Sequence, residues 1–555
     1  MLLQIQYVKL KISVRAKNIG RIIMTYSKPN RSAATLTKNR TKDDIVPSSG
    51  MCATCIEGCP GLCEIGLSSY RSAETIYPQP FGPITAASQK KYPVDLSDFN
   101  ILGTAVGAKG IEADSDLAVF NNVNVGVSLG ADKNIKLKMP ILIPGLGSTD
   151  VAKRNWDGLA IGSAISGTLL TIGENVCGMD ENAEIRNGKI YASPELERRV
   201  RLFKKWQQDG YGEIVLQANV EDTRLGVQEY GIRELGITAV EIKWGQGAKT
   251  IGGEVKINSL QKAKILKQRG YIVLPDPDDL LIEEAFGKQA FKEFERHSRV
   301  GMVTEEGFLQ RVEELRKAGA KHVFLKTGAY RPADLARAIK FASLAKIDVL
   351  TIDGAGGGTG MSPWRMMNEW GIPTVELASM AYNFISRLAA QGEYVPDLVV
   401  AGGFSLEDHI YKAIALGAPF VKAVGMARAP VAAVMVGKTI GRMIQDENVT
   451  SPVEKYGKTL EEIFVTCPEL KDRYGAEFKN IPSAAIGLYS FYKRLDQGLK
   501  QFMCGNRKFN LDLIERSDIV ALTKQASEIS GIPYLMDCDK EEVDAILGAR
   551  AYNLV

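Results

Sequence analysis

The sequence predicts an α/β fold, a (β/α)8 TIM barrel with an N-terminal cysteine-cluster segment and a C-terminal helical extension. Three observations carry that prediction. Eight short apolar runs, rich in β-branched residues and without strict polar alternation, recur between residues 139 and 425, as parallel strands covered on both faces should. Helical stretches fall between several of them, which is the rhythm of a barrel. One run, Val349-Leu350-Thr351-Ile352, feeds straight into Asp353-Gly354-Ala355-Gly356-Gly357-Gly358-Thr359-Gly360-Met361-Ser362-Pro363-Trp364. A loop so poor in side chains, at the end of an apolar strand, belongs at the mouth of such a fold, where ligands bind.

Residues 1–48 are polar, basic and aperiodic and are expected to be disordered. Residues 1–42 hold ten Lys or Arg and no acid. Three readings fit them: an acid-poor organellar presequence, a nucleic-acid arm, or sequence translated ahead of a start at Met24. We favour the third, because Met24-Thr25-Tyr26-Ser27 opens an ordinary polar lead-in. Without those ten cations the formal charge of +4 becomes −6, so a nucleic-acid surface is not expected in the body of the protein. Residues 49–75 form the cysteine segment. Residues 76–135 mix Pro, Gly and short apolar runs and are expected to wrap the domain that follows. Residues 136–445 make the barrel, with strands over Ile141–Pro144, Leu169–Gly173, Ile214–Asn219, Ala239–Trp244, Val323–Thr327, Val349–Asp353, Leu398–Gly402 and Phe420–Gly425. Helices over Glu195–Gln208, Phe308–Ala318, Ala333–Leu344 and Leu406–Leu416 precede the third, fifth, sixth and eighth of these. Tyr271–Pro275 makes a ninth candidate, assigned outside the barrel or to a long loop after the fourth strand. Residues 446–555 are read as the helical extension, with helices over Leu460–Phe464, Ala484–Leu499 and Leu511–Ile529.

A hydrophobic fraction of 45% and a charged fraction of 24% are those of a soluble globular protein, and 555 residues are enough for two or three domains. Lys422 and Arg428 interrupt the richest apolar region, so no membrane span is expected. Lys9, Lys11 and Arg15 break up the early apolar residues, which leaves no secretory pattern, and a cytoplasmic location is expected. His297, His322 and His409 are too scattered for a metal set, and His409 is read as a solvated residue of an outer helix.

The glycine loop resembles the Gly-Gly-Thr-Gly-Ala-Ser-Pro loop of the synthase domain of glutamate synthases. Val240-Glu241-Ile242-Lys243-Trp244-Gly245-Gln246-Gly247-Ala248-Lys249 resembles that family's strand ending in Gln-Gly-Ala-Lys, and Val323-Phe324-Leu325-Lys326 its strand with a single inward lysine. Val399-Val400-Ala401-Gly402-Gly403 and Val424-Gly425-Met426-Ala427 resemble its last two strands, which hold the flavin phosphate. The resemblance covers roughly residues 135 to 445 in the family's order, and it implies an FMN-dependent oxidoreductase.

A flavin phosphate needs backbone N–H donors unobstructed by side chains; Gly402, Gly403, Gly425 and Met426 stand where barrels frequently supply them, and Gly357 and Gly358 lie in the facing loop. The ring gathers negative charge on reduction, and a nearby cation stabilises it. Lys326 is assigned that role or the substrate carboxylate, and surface solvation is less suited to a lysine inside so apolar a run. Gln217, Asn219, Gln246 and Lys249 could hydrogen-bond the ring edge, with surface solvation the competing reading for Lys249. Asp353, and Ser362 after it, could polarise substrate. Glu254 in Gly252-Gly253-Glu254 resembles the glutamate of the family's Gly-Glu-Gly-Gly loop, with the order altered. Lys326, Glu254 and Asp353 are the candidate catalytic residues.

Cys52, Cys55, Cys59 and Cys63 fall within twelve positions, spaced C-x2-C-x3-C-x3-C. So dense a set in a large chain indicates metal ligation rather than disulfides. A 4Fe–4S cluster is the first reading and structural zinc the second. The three cysteines that glutamate synthases place after the last phosphate strand are missing from Arg428–Met435, so any iron–sulfur relay is expected to use the N-terminal quartet, as in short archaeal-type synthases. Neither a glutaminase region nor a G-x-G-x-x-G after a strand is recognised; a separate glutaminase subunit, a redox partner supplying electrons and a homo-oligomer are the expected company. The leading reaction is reduction of a 2-imino acid formed from 2-oxoglutarate and ammonia. The alternatives are an FMN enzyme acting on an N-substituted amino acid and an electron-carrier subunit of a larger complex.

Overall fold

The computed structural model describes residues 56–61, 63–72, 92–112, 114–245, 254–355, 357 and 370–548. Eight parallel strands close into a barrel: β1 (Ile141–Leu146), β2 (Leu169–Ile172), β3 (Glu213–Ala218), β4 (Ala239–Lys243), β5 (His322–Thr327), β6 (Val349–Asp353), β7 (Asp397–Ala401) and β8 (Val421–Gly425). Each coincides with one of the eight apolar runs. Strands β2, β5 and β6 are buried along their whole length, which is why they lack polar alternation. Closure is made by β8 on β1, with Val424 opposite Ile141 and Gly425 opposite Leu142.

The helices start and stop on local signals. Helix α1 (Asp150–Ser166) opens at Thr149, whose side chain accepts from the Ala152 N–H, and ends at Gly167 in the left-handed region at φ 64°. Helix α2 (Glu305–Ala318) uses Thr304 and Gly319 in the same two roles. Helix α3 (Arg428–Gln445) follows β8 directly, and the long helix α4 (Ser483–Gly505) lies along both α1 and α3. Small residues permit that approach: a Cβ at Gly162 would stand 2.8 Å from Leu488, and one at Gly487 only 3.0 Å from the Gly437 Cα. The C-terminal region is thereby packed into the barrel's helical layer.

Three features depart from or refine the sequence expectation. Tyr271–Pro275 does yield a strand, Ile272–Leu274, in a three-stranded antiparallel sheet with Phe294–His297 and Glu254–Ile257. This sheet sits in the insert between β4 and β5 and has its own core of Ile257, Ala263, Leu266, Tyr271, Val273 and Phe294. The helix expected over Leu511–Ile529 is instead two short 3-10 turns, a strand Ile519–Ala521 and a helix Lys524–Ser530; the strand pairs antiparallel with Phe99–Ile101, a partner no local pattern reveals. His409 is not solvated: it is buried at 1% exposure, and its Nδ1 accepts from the Ser405 N–H at 3.1 Å.

At the N-terminal end of the strands a hairpin, Val127–Leu129 with Ile135–Leu137, lies against the barrel. Its turn is held by the Gly130 N–H on Asp397 at 2.9 Å and by Lys133 on the same carboxylate at 2.7 Å. His322 is grouped there with Asp348 and Asp132. The Asp348 carboxylate is 3.5 Å from Nδ1 of His322 and is the main cause of a raised imidazole pKa.

Candidate active site at the barrel mouth

Alternation along a strand puts residues two apart on one side. Gln217 of β3, Glu241 and Lys243 of β4, Lys326 of β5 and Asp353 of β6 form a charged network near the strands' C-terminal ends. Lys326 is 4% exposed and its Nζ stands 3.1 Å from Asp353. Glu241, 3% exposed, accepts from the Gln217 amide. Lys243 pairs with Glu174, which follows β2. Burial opposes the charge on Lys326, yet Asp353 and Glu241 outweigh it and hold the ammonium above its ordinary pKa. Burial pushes Glu241 the other way, upward, against the pull of Lys326, Gln217 and Lys243. Lys326 therefore stays a cation, fixed and dehydrated, at the centre of the mouth.

The glycines gather at the ends of β6, β7 and β8, next to Asp353. Gly402 and Gly403, directly after β7, have φ of 120° and 102°, values that only glycine adopts cheaply. A Cβ at Gly402 would meet Thr374 Oγ1 at 2.6 Å and the Gly354 nitrogen at 2.9 Å, and one at Gly357 would meet Asp353 Oδ1 at 2.4 Å and the Gly402 Cα at 3.0 Å. Thr374 locks this layer by donating its hydroxyl to the Gly402 carbonyl at 2.8 Å. Ala401 pairs with Gly425, so the Gly402-Gly403 pair and Gly425 lie side by side near the start of α3, whose Ncap, Ala427, makes no side-chain capping bond. The Met426 N–H is committed to the Leu142 carbonyl at 2.9 Å; it closes the barrel, and the phosphate donors expected here are left to its neighbours.

The structure thus brings together Lys326, Asp353, Gln217, Gly357, Gly402, Gly403, Gly425 and Met426. Asn219 takes a different post: its side chain accepts from the Asp222 N–H as the cap of Val220–Leu225. Glu254 begins the insert sheet, opposite His297, away from the barrel strands. Gln246, Lys249, Gly358, Ser362, Cys52 and Cys55 lie outside the described residues. Trp244, just before that stretch, is fixed by Tyr330, whose hydroxyl donates to its carbonyl at 2.8 Å, and by edge contact with Phe308.

Four participants escaped the sequence reading: Glu241, Lys243, Glu174 and Asp222. Asp222 is buried, and burial pushes its carboxyl up to about 7, with Glu174 adding and the Asn175 and Asn219 amides and Arg296 opposing. Arg296 belongs to the insert sheet, and Tyr271, in the core of the insert, reaches Asn175 with its hydroxyl at 3.3 Å. Arg299 ties the insert down through two contacts of 3.0 Å to the fully buried Glu221. Alternation of Glu241 and Lys243 around Ile242 was the available signal for the first two.

Cys59 and Cys63 are held on α3, on the side of the barrel. The Gly58 N–H donates to Thr439 at 3.1 Å, Glu57 pairs with Lys438 at 3.2 Å, and a Cβ at Gly61 would stand 2.8 Å from Val436. Cys63 is buried and its Sγ accepts from the Gly66 N–H at 3.1 Å, capping the helix Glu64–Arg71.

Residues 296–439 match the conserved region in glutamate synthase. Over that stretch, about a quarter of its length, the chain is similar to the glutamate synthase family. A glutamate synthase large subunit-like protein of Rhizobium meliloti (strain 1021) is 25% identical over 474 residues, covering 81% of this chain and 89% of that one. An archaeal glutamate synthase (NADPH) of Archaeoglobus fulgidus is 29% identical over 294 residues, covering 52% of this chain and 47% of that one, so this chain spans about half the archaeal relative. Among solved structures, a flavocytochrome b2 variant with pyruvate bound has a TM-score of 0.44 at 10% identity, over 89% of this chain and 90% of that one; the barrel is established here by its own strand pairing. The region matched to glutamate synthase contains Lys326, Asp353 and the glycines of β7 and β8, whereas Gln217, Glu241 and the cysteines lie outside it.

Proposed function

We propose that the chain is an FMN- and iron–sulfur-dependent oxidoreductase of glutamate synthase type that reduces the 2-imino acid formed from 2-oxoglutarate and ammonia. The observation that carries the reading is the buried Lys326–Asp353 pair at the same strand ends as Gly402 and Gly403, with Asp353 level with Ala401. The residues fit FMN: the glycine layer leaves no room for side chains, and Gln217 keeps a buried carbonyl oxygen without a hydrogen-bond partner. When bound, FMN supplies the hydride chemistry that no side chain provides. Gly402, Gly403 and the uncapped start of α3 would hold its terminal phosphate, and Gln217 its ring edge. Lys326, kept protonated by Asp353 and Glu241, presents a preorganised charge to the ring edge or to the substrate carboxylate, and it needs no rearrangement as negative charge develops.

Cys59 and Cys63 suit a cluster: they are close in sequence, and an N–H to sulfur bond of the kind Cys63 makes tunes a ligating thiolate. With Cys52 and Cys55 they would hold 4Fe–4S. Helix α3 would then carry the cluster segment on its third turn and the phosphate glycines at its start, roughly 12 Å apart by helix rise. Electrons would come from a redox partner, and ammonia from solution or a separate glutaminase chain. No helix among the described residues is long and apolar enough to cross a membrane.

The test is an anaerobic assay of the purified protein with 2-oxoglutarate, reduced methyl viologen, and ammonium or glutamine. Glutamate formed from ammonium supports the reading. FMN-loaded protein that forms none from either nitrogen source overturns the substrate assignment.

A further inference from the structure

A cavity of about 560 Å³ opens far from the mouth, against Lys136–Met139 just before β1, Ser166 just before β2 and Tyr211 just before β3. It is therefore at the N-terminal end of the strands, between the hairpin and α4. Its lining is rich in cations: Lys136, Lys138, Arg473, Lys493 and Lys500, against the carboxylates Asp496 and Asp512. Both carboxylates are already committed, Asp496 to Lys500 at 3.0 Å and Asp512 to Lys422 at 2.9 Å. Glu469, beside the cavity, serves Arg473 at 3.1 Å, Lys493 at 3.2 Å and the Tyr489 hydroxyl at 2.6 Å, one carboxylate for two cations. Among the described residues no carboxylate lies within ion-pair distance of Lys136 or Lys138.

Lys138 marks the deficit best. It is half-buried, donates to the neutral Gln208 amide oxygen and lies 5.1 Å from the Tyr211 ring centre. Burial lowers its pKa below the usual lysine range, and Arg473 and Lys493 lower it further, with Glu469 opposing them. Like charges gathered in a recess are stabilised by an anion brought among them, and the volume is that of a small-molecule site.

We propose that this cavity binds a small multivalent oxyanion, phosphate or polycarboxylate, held by Lys138, Lys493 and Lys136 against the walls of Tyr211 and Tyr489. Such a ligand would join the hairpin, the barrel base and the C-terminal helices at one point, independently of chemistry at the mouth.

Titration calorimetry on the full chain tests this, with inorganic pyrophosphate in one arm and citrate in the other. The expected result is saturable one-to-one binding in at least one arm, and the tighter arm names the ligand's chemistry. Lys138→Gln and Lys493→Gln should each weaken it by about tenfold or more, the loss of one charge-assisted contact, while Lys153→Gln, in another groove, should leave it unchanged. Absence of saturable binding in both arms, or unaltered affinity in both lysine variants, overturns the proposal.

Discussion

Lys326 combines near-complete burial with a charge that its neighbours enforce, and those two properties separate its role from that of the glycines. Lys326→Met should reduce turnover by about 10²–10³, the usual effect of losing one preorganised charge contact, while flavin content changes little, because the phosphate contacts are elsewhere. Arginine should rescue poorly, since a planar fork does not replace a compact ammonium beside Asp353. Flavin reduction and reoxidation rates, compared with flavin content, decide it; near-normal rates would make this lysine structural. Asp222 gives a pH signature. Its folded pKa of about 7 stands above the ordinary value of 3.8, so the folded state holds its proton longer than the unfolded chain. Its contribution is fully present below about pH 4 and is lost as pH rises through about 7. Asp222→Asn should flatten the fall in urea midpoint over that window, and an unchanged slope would show that the carboxyl does not control it.

The insert between β4 and β5 is an element with a core of its own, tied to the barrel by polar contacts at Glu221 and Asn175 and by Arg269, which donates to the Gly178, Asp180 and Ala183 carbonyls and whose own carbonyl accepts from Arg224. Arg299→Met removes two charge-assisted bonds from a fully buried carboxylate. Amide exchange across residues 254–303 should then accelerate by about tenfold or more, with the barrel strands unchanged; equal protection in the variant would mean that packing alone holds the insert. Elements were also the scale at which the sequence was most legible. The barrel strands announce themselves as uninterrupted apolar runs because both faces are covered, and the helices carry their own caps. Ile519–Ala521 did not, because its partner is Phe99–Ile101, and a short buried run looks the same in a helix as in a strand. At the site, Lys326, Asp353 and the glycines were readable from strand ends. Glu241 and Glu174 were not, because only the parallel pairing of β2, β3, β4 and β5 in register brings their ends together, and the side-chain oxygen of Asn219 serves as a helix cap.

Across the whole molecule, the cysteine segment and the barrel mouth are separate in sequence and joined through one helix. Cys59→Ser should abolish iron and acid-labile sulfide in protein isolated without oxygen while FMN stays bound; stoichiometric zinc without sulfide in the unaltered protein would establish the structural-metal alternative. That common helix also restricts how the gene can drift. One residue inserted between Arg428 and Val436 would swing everything beyond it by about 100° and advance it about 1.5 Å, presenting Gly61 with a face it does not fit. An insertion close to two full turns, about seven residues, would restore the facing, but it would lengthen the separation by about 10 Å. The loop after β4 tolerates a domain-sized insertion; α3, a few turns long, tolerates almost no change of length.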